Sequence, residues 1–418
     1  MSSPIRTVFL VVLSLLILSV DRALAAAPAP EIPDEWPTWL KEAMATERKK
    51  RKRTKPATAG DLQMKVLGKL TETENMEGSL YFAVDIGADV PASCWVYGQP
   101  QYMATTVKLL VDALLAENAR VNDTPIKQRI VYYNDFGVIE DMPYMANEWL
   151  WVIERDGETN IGLLKMRAAQ KDGTLFVCAH DQLGYRETFA ALFDQVMRSA
   201  TWPHDYQAPY LRGIHTFTVA GRPAGLAWHE MRQAEDGDTV TVVEMSMALQ
   251  VDEFTLSTSD SKELARSTSD GQVINAFSES AENGEVTTAL KLRADESGNW
   301  SVTGRMQGKE VAFDLGDEVR PLSILGESLT MRALLKDDTR TSAQIPVWVT
   351  GADPSSFITA EFALGKRGKK TSQGSYSVGP IAIEGEYEHE TGSMLNGSMS
   401  MAGITMSMEL VYSSGELP

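Results

Sequence analysis

Cysteine and histidine are scarce in this sequence, with two cysteines and five histidines among 418 residues. So few cysteines exclude a disulfide-rich scaffold and a four-cysteine zinc site. Neither His229-Glu230 nor His389-Glu390 is followed by a second histidine at the spacing of a zinc protease. We therefore predict no metal ligand.

Motifs that mark common catalytic sites are also missing. The chain has no Gly-x-Ser-x-Gly nucleophile elbow, no Gly-x-Gly-x-x-Gly dinucleotide motif and no phosphate-binding P-loop. Carboxylates are too numerous for any pair to be singled out as the acid and base of a glycosidase. These absences predict no catalytic residue and no cofactor, and they favour a protein that is not an enzyme.

Basic residues are fewer than acidic ones: the chain has 39 Lys and Arg and 57 Asp and Glu, which gives a net charge of −18. Phosphate binding needs clustered positive charge, so nucleic acid is excluded as a partner. One local exception is the run of six basic residues at 48–53. Two interpretations stay open for it: a solvated linker, or an electrostatic tether to anionic lipid or an acidic partner.

Long apolar runs are absent beyond the first residues of the chain. Arg6 precedes an apolar run at 8–20, and Ala23-Leu24-Ala25 supplies the small-x-small pattern that signal peptidases cut. The run is shorter than the roughly 20 residues that span a bilayer. Residues 1–25 are therefore predicted to be a signal peptide, with no transmembrane segment in the mature chain and a periplasmic or secreted location.

Regular patterns begin at residue 62. The preceding residues 26–61 are rich in proline, alanine and charge and are predicted to be a linker. Alternating apolar residues then predict strands at 80–86, 93–97, 128–133, 148–154, 160–167 and 174–179. Helical spacing predicts helices over 103–117 and 187–198. Residues 62–203 are interpreted as one mixed α+β domain.

The segment 202–209 interrupts this pattern and is predicted to be a domain boundary. Beyond it most regular stretches alternate as strands do, and a slip of phase between Val242 and Met245 predicts a β-bulge. The best helical spacing lies near 328–336. Short polar turns predict an antiparallel meander over 210–418. The predicted fold class is α+β, with a mixed N-terminal domain followed by an all-antiparallel β-domain.

This β-domain opens with Gly221-Arg222-Pro223-Ala224-Gly225, and long strands joined by Asp-Gly turns follow. In this layout it resembles periplasmic domains of the outer-membrane lipoprotein-carrier type. The resemblance covers residues 210–418 and carries no functional residue over. It implies a curved antiparallel sheet, or half-barrel, over an apolar cavity. Such a cavity would measure roughly 300–1,000 Å³.

The two cysteines, Cys94 and Cys178, both fall in strand-like stretches of the N-terminal domain. Export permits a disulfide between them, which is the favoured interpretation. The alternative is a cysteine hydrolase with Cys94 as nucleophile and His180 as base. Residues 95–97 read as strand, whereas such enzymes place the cysteine at a helix N-terminus.

Methionine is unusually frequent, with 19 in the chain, and three Met-x-Met pairs occur in the β-domain. Residues two apart on a strand share a face, so these pairs predict methionine-rich faces. Three interpretations stay open: a packed core, a flexible surface for an apolar ligand, or a Cu(I) site. The ligand surface is predicted to include Met245, Met247, Met306, Met406 and Met408.

Together these patterns predict an exported, non-enzymatic binding protein. Its β-domain is expected to hold an apolar small molecule or lipid, or a protein partner of the cell envelope. The alternatives are a structural or interaction protein of the envelope with no ligand cavity, a methionine-based copper-binding protein, and the cysteine hydrolase.

Overall fold

The computed structural model describes residues 32, 36–47, 54–98, 102–155, 157–203, 206–252, 254–379, 381–401 and 403–418. The predicted signal peptide and the basic run 48–53 lie outside these residues. The described chain forms antiparallel sheets with four helices, which confirms the α+β class. None of these four helices is long and apolar enough to span a bilayer.

The described residues divide into two compact units. Of the described residues, those within 25–206 and 248–258 form the N-terminal unit, and those within 207–247 and 259–418 form the C-terminal unit. The N-terminal unit contains α1 (Thr38–Met44), β1 (Lys55–Ala59), β2 (Leu62–Val66), β3 (Lys69–Met76), β4 (Ser79–Asp85), β5 (Ala92–Tyr97), α2 (Met103–Val121), β6 (Gln128–Ile139), β7 (Met142–Arg155), β8 (Glu158–Lys171), β9 (Thr174–Asp181) and α3 (Arg186–Ser199).

The predicted linker 26–61 is wrong where it overlaps α1 and β1. Leu40 and Met44 lie one helical turn apart on α1 and pack against Leu150 and Leu163 of the sheet. Burial of this apolar pair stabilises a helix too short to form alone. β1 pairs with β2 in an antiparallel hairpin. The high content of proline and charge in the surrounding sequence obscured both elements.

A seven-stranded sheet, in the order β3-β4-β5-β9-β8-β7-β6, lies between α2 and α3. The last two residues of β9 show this directly, because consecutive strand residues point to opposite faces. The ring of His180 stacks on Phe189 of α3, with centroids 5.9 Å apart. The carboxylate of Asp181 instead accepts a hydrogen bond from Asn118 of α2.

The C-terminal unit begins with β10. Its elements, including the ends of β12 and β13 that group with the N-terminal unit, are β10 (Leu211–Val219), β11 (Arg222–Gln233), β12 (Thr239–Gln250), β13 (Leu256–Ser267), β14 (Val273–Glu282), β15 (Glu285–Ala294), β16 (Trp300–Met306), β17 (Lys309–Gly316), α4 (Ile324–Lys336), β18 (Ser342–Val347), β19 (Ile358–Arg367), β20 (Thr371–Val378), β21 (Ile381–Glu388), β22 (Met394–Met401) and β23 (Ile404–Gly415).

These strands form one fourteen-stranded antiparallel sheet, in the order β17 to β10 followed by β23 to β18. Neighbours in the sheet are neighbours in sequence, except that the first strand, β10, pairs with the last, β23. The predicted bulge in β12 is wrong on the side that faces β11, where pairing is continuous from Gly225↔Met247 to Gln233↔Thr239. Val242 and Val243 lie on opposite faces of β12, and Val243 is the more buried of the two. The apolar alternation in the sequence changes phase for this reason and not because of a bulge on this side.

Residues that precede α4 show that this sheet is strongly curved. The amide of Leu322 donates to the carbonyl of Pro346 on the edge strand β18, at 2.8 Å. The carbonyl of Pro321 accepts a hydrogen bond from the amide of Val273 at the start of β14, at 3.0 Å. Because β18 and β14 are far apart in the strand order, one short segment reaches both only if the sheet curls.

Candidate functional site

The five methionines predicted to bind a ligand do not form one group. Met245 and Met247 lie on β12, and both are buried. Met406 and Met408 lie on β23 and are buried as well. Met306 lies on β16, partly buried at the margin of a separate apolar cluster formed mainly by β13–β16. Sequence spacing paired the residues on each strand correctly but did not show which strands meet.

Strand register places two of these methionines in one row across the sheet. Met247 is opposite Gly225, which is itself opposite Phe217. On its other side Phe217 is opposite Met408. The glycine makes room for the row, because a Cβ on Gly225 would come 2.6 Å from Cγ of Met247. Paired residues share a face, so Met247 and Met408 lie on the same side of the sheet. That this side binds a ligand stays a prediction.

Helix α4 covers part of that same side. Met408 is opposite Gly397, which is opposite Gly385, and Tyr376 of β20 lies on this same side of the sheet. The hydroxyl of Tyr376 donates to Glu327 of α4 at 3.0 Å. The space left between α4 and strands β13–β15 measures about 20 Å³. Such a space has room for about one water molecule and not for an apolar ligand. The expected large pocket on the concave face is therefore wrong where α4 covers it.

A much larger groove lies in the N-terminal unit, with a volume of about 780 Å³. We call it the α2 groove. One wall is the outer side of α2, the other is the start of β6, and Phe254 lies at its margin. The lining residues are Asp112, Leu115, Ala116, Ala119, Ile126, Lys127, Gln128, Arg129 and Phe254.

Local sequence explains why the α2 groove stays open. Leu115 turns toward the sheet and is buried, whereas Ala116 and Ala119 present only methyl groups on the outer side of the helix. The turn after α2 is fixed by Asn122, whose side-chain amide donates to the carbonyl of Asn118 at 2.8 Å. This turn returns the chain beside the helix as β6. Two alanines opposite a strand leave space that larger side chains would fill.

The charges at the rim of the α2 groove are compensated by one another. Arg129 bonds Asp112 at 2.7 Å, and Lys108 bonds the same carboxylate at 2.9 Å. Burial acts to raise the pKa of Asp112, but the hydrogen bonds from these two cations outweigh it and the pKa is lowered. Lys127 pairs with Glu154 at 2.5 Å. The groove thus offers apolar walls and a neutralised rim.

Phe254 contributes a large apolar side chain that is 44 % exposed. It belongs to residues 248–258, which are distant from α2 in sequence but group with the N-terminal unit. Asn134 of β6 helps hold this segment, because its side-chain amide donates to the carbonyl of Ala248 at 2.9 Å. No local sequence pattern could have assigned Phe254 to a groove beside α2. The signal that was available is the pair of alanines at 116 and 119.

The predicted disulfide between Cys94 and Cys178 is confirmed. The two residues lie directly opposite each other on β5 and β9, with Cα atoms 4.0 Å apart. The cysteine hydrolase required Cys94 as a free thiol, so the disulfide contradicts that alternative. Its proposed base, His180, is buried with Nε2 3.1 Å from the carbonyl oxygen of Val90. Burial, reinforced by the charge of Lys165, lowers the pKa of His180 to about 3.

A buried lysine, which sequence reasoning missed, lies next to this histidine. Lys165 is opposite both Glu148 and His180 in the sheet and is 1 % exposed. Burial lowers its pKa to about 8, and the carboxylates of Glu148 and Asp181 oppose the shift. Its ammonium donates to the carbonyls of Leu163 and Gln182. These bonds give Lys165 a structural role in fixing the backbone after β9.

Metal binding finds no support among the described residues, where no three His, Cys, Asp or Glu side chains group together. The copper alternative depended on exposed Met-x-Met pairs. Both residues of the pairs 245/247 and 406/408 are buried instead. A buried methionine face is what a packed core predicts.

Comparisons with known proteins find a similar solved structure but no family. No family model matches the chain, and no curated protein matches it. The C-terminal resemblance to lipoprotein carriers therefore stays a prediction. The chain is similar to a β-barrel-like protein of the domain of unknown function DUF1849 from Brucella abortus, with 12 % identity and a TM-score of 0.39. The match covers 50 % of this chain and 98 % of that one, and at this TM-score we draw no conclusion from it.

Proposed function

We propose that this chain is an exported, non-enzymatic binding protein that holds an apolar small molecule or a single acyl chain in the α2 groove. The observation that carries the proposal is the groove itself. Its volume of about 780 Å³ falls within the range of small-molecule sites, and its walls are largely apolar. This moves the ligand from the methionines of the β-domain, where it was expected, to the N-terminal unit.

The lining residues support an uncharged or weakly polar ligand. Leu115, Ala116, Ala119 and Ile126 offer carbon surface, and Phe254 adds an exposed aromatic ring. Burial of apolar ligand surface against these walls contributes about 25 cal/mol per Å². The rim cations already have carboxylate partners, so an anionic head group would have to compete with them.

A fluorescent probe tests the site directly. The uncharged probe N-phenylnaphthylamine should bind the delipidated protein and increase in emission. Ala116→Trp and Ala119→Trp place an indole in the groove, and each should weaken binding by at least about tenfold, or 1.4 kcal/mol. Ala113→Trp is the matched control, because Ala113 is exposed on the same helix and does not line the groove.

The outcome also distinguishes the groove from the methionine face. If Met406→Trp abolishes probe binding and the two groove variants do not, the ligand lies on the β-domain and the α2 groove is the wrong site. If folded protein binds no probe at all, the envelope structural protein without a cavity becomes the better account.

Export is part of the proposal and has its own support. Arg6, the apolar run 8–20 and Ala23-Leu24-Ala25 form a signal-peptide pattern. The Cys94–Cys178 disulfide suits an oxidising compartment. Intact mass of the exported protein should correspond to a chain that begins at Ala26. Protein found outside the cytoplasm that still carries residues 1–25 would contradict the predicted cleavage.

A further inference from the structure

Two carboxyl groups from different elements meet beneath α4. Glu327 lies in the first turn of α4, and Glu263 lies on β13. Both line the cavity of about 20 Å³, whose other walls are apolar apart from Ser323 and the indole of Trp348. We call Glu263 and Glu327 the acid pair.

The acid pair has little compensation from its surroundings. Among the residues that line the cavity, all of them described, there is no lysine, arginine or histidine. Tyr376 of β20 donates its hydroxyl to Glu327 at 3.0 Å. The other polar groups are engaged elsewhere, since Ser323 donates to the carbonyl of Gly271 and the indole of Trp348 donates to the carbonyl of Pro354.

This environment favours protonated carboxyls. Burial raises the pKa of Glu263 to about 7. Burial also raises the pKa of Glu327 well above its ordinary value; the hydrogen bond from Tyr376 opposes the shift, and the neighbouring Glu263 adds to it. Two ionised carboxylates in one apolar cavity would repel each other without a cation between them.

Helix α4 is anchored at its ends. At its start, Ser323 donates its amide to the carbonyl of Gly271 at 2.8 Å. In its second half, Arg332 donates to the terminal carbonyls of Leu417 and Pro418. After its last turn, Arg367 donates to the carbonyl of Asp337 at 2.7 Å. The first two turns of α4, which carry Glu327, lie between the anchor at Ser323 and the anchor at Arg332.

We propose that the acid pair makes α4 a pH-sensitive plug of the concave sheet. The plug is seated while the carboxyls hold protons, and it loosens when both ionise. Loosening uncovers apolar side chains beneath the helix, among them Val273, Leu292 and Trp348. The plug lies in the C-terminal unit and does not depend on a ligand in the α2 groove.

The direction of the pH effect follows from the raised pKa values. A carboxyl whose pKa is higher in the seated state binds its proton more tightly there. Seating is therefore fully favoured at low pH and weakens as the pH rises through about 7. A plug held by an ordinary salt bridge would respond in the opposite direction.

Hydrogen exchange of the full chain tests the plug. At each pH, the exchange rate of every amide in 324–336 is divided by its rate in an unstructured peptide of the same sequence. This corrected rate should be at least about tenfold higher at a pH of about 8.5 than at about 5.5. The double variant Glu263→Gln with Glu327→Gln keeps the size and hydrogen-bonding capacity of the neutral carboxyls and should lose this dependence. Glu384→Gln, an exposed carboxyl on β21, is the control and should keep it.

Two results would each overturn the proposal: corrected exchange of α4 that does not change with pH, or a double variant that retains the change. If the double variant fails to fold, Tyr376→Phe gives a separate reading. It removes the donor that lowers the pKa of Glu327, so the transition should move to higher pH. A transition that stays in place or moves to lower pH would contradict the role of the acid pair.

Discussion

Gly271 and Gly326 lie backbone against backbone where α4 begins. A Cβ on Gly271 would come 2.2 Å from Cα of Gly326, closer than any real contact. Gly271 also has a φ of +85°, in the left-handed region that favours glycine. The turn between β13 and β14 therefore fixes where the helix starts, and with it how α4 is placed on the sheet.

Gly271→Ala should destabilise the C-terminal unit by more than backbone strain alone. Gly298 is a matched control, because it occupies the same place in a similar turn, with a φ of +89° and no atom within 4 Å of its Cβ position. We expect Gly298→Ala to cost about 1 kcal/mol and Gly271→Ala about 2 kcal/mol more. Urea unfolding measures both. Equal losses would show that the contact with Gly326 has no energetic weight.

Gly162→Ala probes the packing of the N-terminal sheet on the side of α2. A Cβ at this position would come 2.1 Å from the indole of Trp151, whose Nε1 donates to Asp181 at 2.8 Å. Displacement of the indole would leave the partly buried carboxylate of Asp181 without one of its donors. We expect a loss of about 2 kcal/mol in the free energy of unfolding. Gly137→Ala on β6, with nothing within 4 Å, should be nearly neutral; comparable losses would contradict this account.

The Cys94–Cys178 disulfide should be a major contributor to stability. It closes a loop across a sequence separation of 84, for which the chain-entropy model gives on the order of 4 kcal/mol. Native protein should show no free thiol on labelling. The double variant Cys94→Ala with Cys178→Ala should unfold at correspondingly lower urea. Two reactive thiols in exported, native protein would refute the pairing.

His215 should sensitise the C-terminal unit to acid. It is fully buried, and burial lowers its pKa to about 4. The hydrogen bond with the carbonyl of Met394 acts to raise the pKa but is the smaller effect. In the unfolded state this histidine binds a proton near pH 6.5, whereas in the native state it stays neutral at that pH. Stability is therefore lost as the pH falls below about 6.5. Between pH 7 and 5 this amounts to about 2 kcal/mol.

Because the acid pair acts in the opposite direction over this range, the test compares variants. His215→Gln should lose about 2 kcal/mol less than the parent protein between pH 7 and 5. His389→Gln, at a partly exposed histidine, is the control for the substitution itself. A His215→Gln variant with the same pH dependence as the parent would show that this histidine does not titrate on unfolding.

Sequence patterns predicted the parts of the fold that repeat regularly. The apolar spacing of 103–117 identified α2, which extends over Met103–Val121, because one side of that helix is buried against the sheet. Alternation likewise located β4 and β5. The disulfide followed from two cysteines in strand-like stretches, although only the sheet shows that those strands are neighbours.

Helix α4 was harder to predict because it is buried on more than one side. Its first turns include Glu327 and Ser328, both buried, so the contrast between a polar and an apolar side is weak. Periodicity therefore indicated only 328–336 and missed the start of the helix. The missing turn is the one that carries Glu327 to the concave sheet, so the sequence left open whether that sheet encloses a cavity or is packed.

The α2 groove was missed for a different reason. Its walls combine alanines of one helix, the start of a strand and Phe254, which lies more than a hundred residues away in sequence. Small residues on a helix predict close packing as readily as an open groove. Only the path of β6 and of the segment 248–258 distinguishes the two.

Native mass spectrometry of the protein purified from its own host tests the central claim most directly. We expect a co-purified apolar molecule, seen as an added mass that organic extraction removes. The added mass should disappear in Ala116→Trp and persist in Ala113→Trp. A folded parent protein that carries no apolar adduct, or an adduct that persists in Ala116→Trp, would contradict binding in the α2 groove.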